Sequence, residues 1–156
     1  MANWRRFREL SWTERGLLGQ GLVLLPLMTL ALWTLGFRRW QAALSRLSPI
    51  RTRAGKDKAT LIGEGRATAR LVDAAARHGP YRASCLPRSL TLWWLLRRRG
   101  IDGDLRIGVR KLAGQFQAHA WVEYHGAVLN DWPDVSQRFA AFARSIAPSP
   151  PRCTNA

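Results

Sequence analysis

At 156 residues the chain is long enough to bury one hydrophobic core and too short for several. Its 47% apolar content excludes wholesale disorder, and a formal charge of +15 points toward acidic partners or surfaces. The basic residues are scattered, from Arg5 and Arg6 through Arg38, Arg39 and Arg97 to Arg99, then Arg106 and Arg110. There is no Lys/Arg block interleaved with aromatics and no zinc-finger cysteine spacing, so nucleic-acid readout is not encoded. A solvated basic surface that attracts an acidic peptide fits the pattern better.

In chain order, residues 1–47 read as helical. Ser11 or Thr13 can cap a helix that carries Leu17, Leu18, Leu22, Leu24 and Leu25, with Glu14 in its first turn. Residues 16–37 hold no charge and are flanked by basic residues, a length that would span a bilayer. Gly16, Gly19, Gly21, Gln20 and Pro26 weaken a single span. Pro26 is expected to divide the stretch into two buried helices or to kink one, with a membrane segment or membrane-surface contact as the alternative. Residues 48–58 read as a polar linker, and a helix follows over 61–77, ending before His78-Gly79-Pro80. Ser84 can cap the next helix, which starts at Cys85 and tolerates Pro87 in its first turn. Leu86, Leu90, Trp93 and Trp94 share one face of it, Arg97 to Arg99 suit its last turn, and Gly100 ends it.

The period then changes to two. Leu105, Ile107 and Val109 alternate with Arg106, Gly108 and Arg110 in a half-buried strand, and residues 119–123 and 127–131 read as two more strands. Helices first and a small antiparallel sheet after them make an α+β fold.

The chemistry concentrates at three residues. The first turn of a helix favours a thiolate, and Cys85 stands there, although an inert buried cysteine is an equally good reading of that position alone. If Tyr124, His125 and Gly126 form a three-residue loop, Glu123 pairs with Ala127 and His119 faces Asp131 across the ladder. A two-residue loop at His125-Gly126 would put those two side chains on opposite faces and would require a positive φ at His125, so the three-residue loop is preferred. Cys85, His119 and Asp131 then have the order and types of a nucleophile, a base and an orienting acid. His78, at a helix end, and His125, at a hairpin tip, are weaker candidates. No metal-ligand spacing, phosphate-binding glycine loop or Walker lysine is present, so no metal or cofactor is implied. The other cysteine, Cys153, lies in a Pro- and Ser-rich tail, and nothing recommends a disulfide to Cys85; a reducing, cytoplasmic setting is expected.

Several ordered blocks carry a resemblance. Ser84-Cys85-Leu86-Pro87-Arg88-Ser89-Leu90, then residues 95–101 and 105–111, then Ala118-His119-Ala120-Trp121-Val122-Glu123 and Asn130-Asp131, together resemble the leader peptidase of lasso-peptide biosynthesis. The basic-flanked apolar N-terminal helices also match, so the resemblance covers most of the chain. It implies a transglutaminase-like, papain-like core over 1–147, with an N-terminal helical part (1–47), a linker (48–58), a catalytic part (59–147) and a flexible tail (148–156). It implies a cysteine endopeptidase with Cys85, His119 and Asp131 as its triad, acting on a ribosomal precursor peptide and exposing the core's N-terminus for a separate lasso cyclase. Fused members carry a leader-recognition domain ahead of the peptidase; its absence here implies a leader-recognition protein on another polypeptide. A transamidase on the same triad, or a non-catalytic membrane-associated scaffold, are the rival readings.

Overall fold

The computed structural model describes residues 11–47, 56–79 and 83–142. Helix α1 (Trp12–Leu35) starts as its sequence dictates: the Ser11 hydroxyl accepts the Glu14 N–H, and the Glu14 carboxylate accepts the Ser11 N–H. The expected division at Pro26 does not occur. Proline deprives the Leu22 carbonyl of its helical donor, but Pro26 lies on the exposed side of α1, where that loss is least costly. The opposite side holds the helix together by packing Gly21, Leu25, Met28 and Ala31 inward. The break comes instead at Gly36, whose φ of 74° ends α1. Helix α2 (Phe37–Leu47) folds back, and the Trp40 indole N–H donates to the Met28 sulfur at 3.1 Å.

The 48–58 linker falls mostly outside the described residues, and its end is already helical. Asp57 caps α3 (Lys58–His78) by accepting the Thr60 N–H at 3.1 Å. α1 and α3 touch closely: a Cβ placed on Gly21 would come within 3.1 Å of the Ala75 Cβ. Both helices cover α4 (Cys85–Arg98), whose Leu90, Leu92, Trp93, Leu95 and Leu96 are all buried. Its polar end is managed locally. Arg97 is buried beneath the Trp93 ring and pairs with Asp102 at 3.3 Å, and Gly100 takes a φ of 77°.

On the other side of α4 lies an antiparallel sheet built from β1 (Asp104–Leu112), β2 (Gln115–Tyr124), β3 (Ala127–Val128) and β4 (Ala140–Ala141), in the order β3-β2-β1-β4. A four-residue helix, α5 (Val135–Arg138), leads into β4. The fold is therefore α+β, as the change of period predicts. Leu105 and Val122 point into the main core, while Trp121, Val128, Val135 and Phe139 form a smaller cluster of their own.

Gly108 of β1 stands opposite His119 in the ladder. A Cβ there would meet Trp121 at 2.9 Å, the Phe139 Cβ at 3.0 Å and the Ala140 carbonyl oxygen at 3.1 Å. Two of these contacts belong to backbone or Cβ atoms that cannot swing away. Gly108→Val should therefore lower stability by about 1–3 kcal/mol, the usual cost of overpacking. Urea denaturation measures it, and an unchanged midpoint would show that β4 and Phe139 do not pack on Gly108 as described.

Candidate active site

The β2–β3 hairpin corrects one expectation. Tyr124 pairs with Ala127 and Glu123 with Val128, so the loop is the two-residue His125-Gly126 and not the three-residue Tyr124-His125-Gly126. Both loop residues take positive φ, 48° and 79°, as a turn with the natural hairpin twist requires. His125 accepts the strained conformation while its ring meets Tyr124 edge-on at 4.6 Å.

With that register, a straight continuation of β3 would carry Asp131 away from His119. The ladder does not continue. The Leu129 N–H still donates to the Val122 carbonyl at 2.9 Å, but the Val122 N–H is taken by the Asn130 side-chain oxygen at 2.8 Å. A side chain thus replaces the next main-chain acceptor, residues 129–131 bend, and the bend returns Asp131 to the histidine. The His119 Nε2 lies 2.5 Å from the Asp131 Oδ2. A carboxylate only accepts, so Nε2 carries the proton and Nδ1 is left as the basic nitrogen. The other Asp131 oxygen accepts the Trp132 N–H at 2.8 Å, which fixes the carboxylate plane.

Asn130 reaches further. Its amide nitrogen donates to the Ser89 hydroxyl at 2.9 Å, and that hydroxyl donates to the Ala120 carbonyl at 2.8 Å. Ser89 is fully buried in α4, one turn after Cys85 and on the same helix face. The bonds to Ala120 and Val122 therefore tie the start of α4 to the β2 segment that carries His119 and to the bend that carries Asp131. Neither Ser89 nor Asn130 drew a role from the sequence. The available signal was a hydroxyl on the apolar face formed by Leu86, Leu90 and Trp93, with an amide directly before the acid.

Cys85 is the first residue of α4, half-buried and a free thiol. Ser84 occupies the capping position, but its side chain makes no capping bond, contrary to expectation. Pro87 lacks an N–H, and the Ser84 side chain does not take up the amides of Cys85 or Leu86, the helix-start donors that favour negative charge. Among the described residues the thiol itself has no hydrogen bond. The structure thus joins His119 to Asp131 directly, and joins Cys85 to them through the Ser89 anchor.

Around this centre, Phe139 stacks on the His119 ring at 5.0 Å and Arg110 lies 4.6 Å from the Phe139 centroid. A cleft of about 550 Å³ opens beside the pair, lined by His119, Asp131, Trp132, Arg110, Arg138 and Phe139. In the turn after Cys85, Arg88 reaches Asp73 of α3 at 3.3 Å. Burial raises the Asp73 carboxyl above its ordinary value; Arg88 and Arg77 pull the other way, and the Asp131 charge adds to the rise. Among the described residues no group of three or more His, Cys, Asp or Glu side chains could hold a metal ion.

A family model described as the transglutaminase-like superfamily matches residues 23–144. The chain belongs to that superfamily. The match takes in the helix that begins with Cys85 and the strand and bend that carry His119 and Asp131. The chain is also similar to the microcin J25-processing protein McjB of Escherichia coli, 38% identical over 63 residues. That likeness covers 40% of this chain, and the chain spans 29% of the length of McjB. No solved structure matches.

The Ser89–Asn130 link in this transglutaminase-like site is testable by its non-additivity. Asn130→Ala strands the Val122 N–H and should cost about 1–3 kcal/mol, and Ser89→Ala should cost about 1 kcal/mol. The double variant should lose less than the sum, because the two share a bond. Simple additivity in urea denaturation would show that the two side chains do not act together.

Proposed function

We propose that this protein is a cysteine endopeptidase that removes the leader from a ribosomally made, lasso-type precursor peptide. The observation that carries the reading is the His119–Asp131 contact, locked through Asn130 and Ser89 to the helix that begins with Cys85. The likeness to a microcin-processing protein supports the substrate class.

In this reading His119 Nδ1 takes the thiol proton and the Cys85 sulfur attacks the scissile carbonyl. The backbone amide of Cys85 donates to the developing oxyanion. The imidazolium, stabilised by Asp131, gives its proton to the leaving amine, which becomes the new N-terminus of the core peptide. A water activated by the same histidine then hydrolyses the leader thioester and regenerates the thiol. Each turnover starts from a reduced Cys85 thiol, which favours a reducing cytoplasmic setting. The exposed N-terminus is the group that a separate cyclase would consume.

Cys85→Ala should abolish cleavage without unfolding the chain, since it removes the nucleophile and little volume. Cys153→Ala, outside the described residues, should cleave normally. Asp131→Asn should slow the reaction by roughly 10²–10⁴-fold, because an amide can hold the wrong tautomer and cannot stabilise imidazolium. Mass spectrometry of the precursor after incubation reads all three. Cleavage by Cys85→Ala sinks the assignment, and a product in which an amine replaces water would mark a transamidase.

Recognition of the leader is the second element of the proposal. Scattered arginines steer an acidic peptide toward the cleft but do not set its register. We propose that a separate leader-binding protein delivers the precursor by raising its effective concentration. Adding that partner should raise the rate mainly at low precursor concentration, with the gain shrinking toward saturation. Full activity of this chain alone at low precursor would show that it carries its own recognition surface.

A further inference from the structure

Helix α1 has two apolar sides, and only one of them is used. Gly21, Leu25, Met28 and Ala31 face α3 and α4 and are buried. The opposite side carries Val23, Leu27 and Leu30 at spacings of four and three, which are 68%, 47% and 59% exposed. Trp12 and Trp33 stand at its two ends, 85% and 90% exposed and about 32 Å apart along the helix. No charged residue interrupts residues 16–37. Beyond the Trp33 end, Arg38, Arg39 and Arg46 are exposed on α2, and residues 38–56 contain no acid.

We propose that this outer side of α1 docks on the surface of an anionic lipid bilayer, with the helix lying in the interfacial plane. Aliphatic side chains enter the headgroup–acyl boundary, the two tryptophans sit at headgroup level, and the arginines of α2 meet anionic headgroups. The occupant is a bilayer and not a partner protein because the face offers a protein little to bond. Interfaces between proteins carry a polar rim and about one hydrogen bond per 100–200 Å², whereas between its two tryptophans this side bears aliphatic groups and glycines with Gln20 at its margin, and the Thr34 hydroxyl near its end already donates to the Leu30 carbonyl.

The helix lies on the bilayer and does not cross it, for two reasons. Its inner side is packed against α3 so closely that a Cβ on Gly21 would meet Ala75 at 3.1 Å. Crossing would drag the exposed Arg66, Arg70 and Arg77 of α3 into hydrocarbon. Pro26, on the lipid-facing side, also leaves the Leu22 carbonyl without its helical donor. That group is tolerable at the wet interface and costly in the acyl core.

The test uses the full chain and two kinds of vesicle, pure phosphatidylcholine and phosphatidylcholine mixed with phosphatidylglycerol, read by co-sedimentation. The chain should pellet with the mixed vesicles, bind the neutral ones much more weakly, and lose binding as salt rises. The double variant Leu27→Glu/Leu30→Glu should bind the mixed vesicles at least tenfold less, since two leucine side chains no longer leave water. Both positions are exposed, so circular dichroism should show the variant folded. Wild-type binding by the double variant, or equal binding to neutral vesicles, would overturn the proposal. So would resistance to alkaline extraction, which marks a spanning helix. A concentration-dependent oligomer that is lost in the double variant, without vesicle binding, would show instead that a second copy covers this side. None of these readouts depends on peptidase activity.

Discussion

Two polar side chains, the fully buried Ser89 and the half-buried Asn130, decide where Cys85, His119 and Asp131 stand. Asn130 supplies the acceptor that Val122 would otherwise find in the next strand residue, and in doing so ends β3 after two residues. Because the strand ends there, the chain can bend and present Asp131 to His119. The same amide holds Ser89, which fixes the first turns of α4 against β2. A polar network reaching into the core in this way costs desolvation that only complete pairing repays. Here each of the two side chains finds partners from another element, so the link stabilises one relative position of helix, strand and bend over its neighbours.

The network needs a rigid body to act on, and α4 is that body. Leucines and tryptophans cover it nearly all round, with α1 and α3 on one side and β1 and β2 on the other. Arg97 and Gly100 close one end, and Cys85 opens the other at the border between core and solvent. The thiol is thus carried by a helix that cannot shift without disturbing the whole core, and the Ser84 side chain does not cap its first turn. His119 occupies the matching border on β2, where the strand passes from exposed residues 115–118 to buried residues 120–122. Phe139 and Trp121 pack around its ring, and Gly108 lets β4 and Phe139 approach closely enough to do so.

The N-terminal helix shows the same economy on a larger scale. Its inner side completes the core over α3 and α4, so it is needed for the fold whatever its outer side does. Low amphipathicity is therefore not a defect of α1 but the sum of two apolar sides with different neighbours. That double character is why its composition fits a buried helix and leaves a membrane segment as the alternative.

Local chemistry in the sequence determined much of this protein. Ser11 with Glu14, and Gly100, set helix ends that the structure keeps, and the change from a period near 3.6 to a period of two marked the passage from helices to sheet; Asp57, inside the expected linker, starts its helix three residues earlier than the sequence reading placed it. The ordered blocks around Cys85, His119 and Asp131 gave the family and the candidate residues. Three matters were decided by tertiary structure. Pro26 was survivable because the side of the helix that loses its bond faces outward, which no local rule reveals. Ser84 had the right chemistry for a cap and did not use it. The His119–Asp131 pairing was foreseen through the wrong loop: sequence spacing assumes that a strand continues, whereas a side chain from Asn130 ended it. Short-range rules count residues along a chain, and the site depends on a bond between residues 41 apart that exists only once α4 and the sheet have packed.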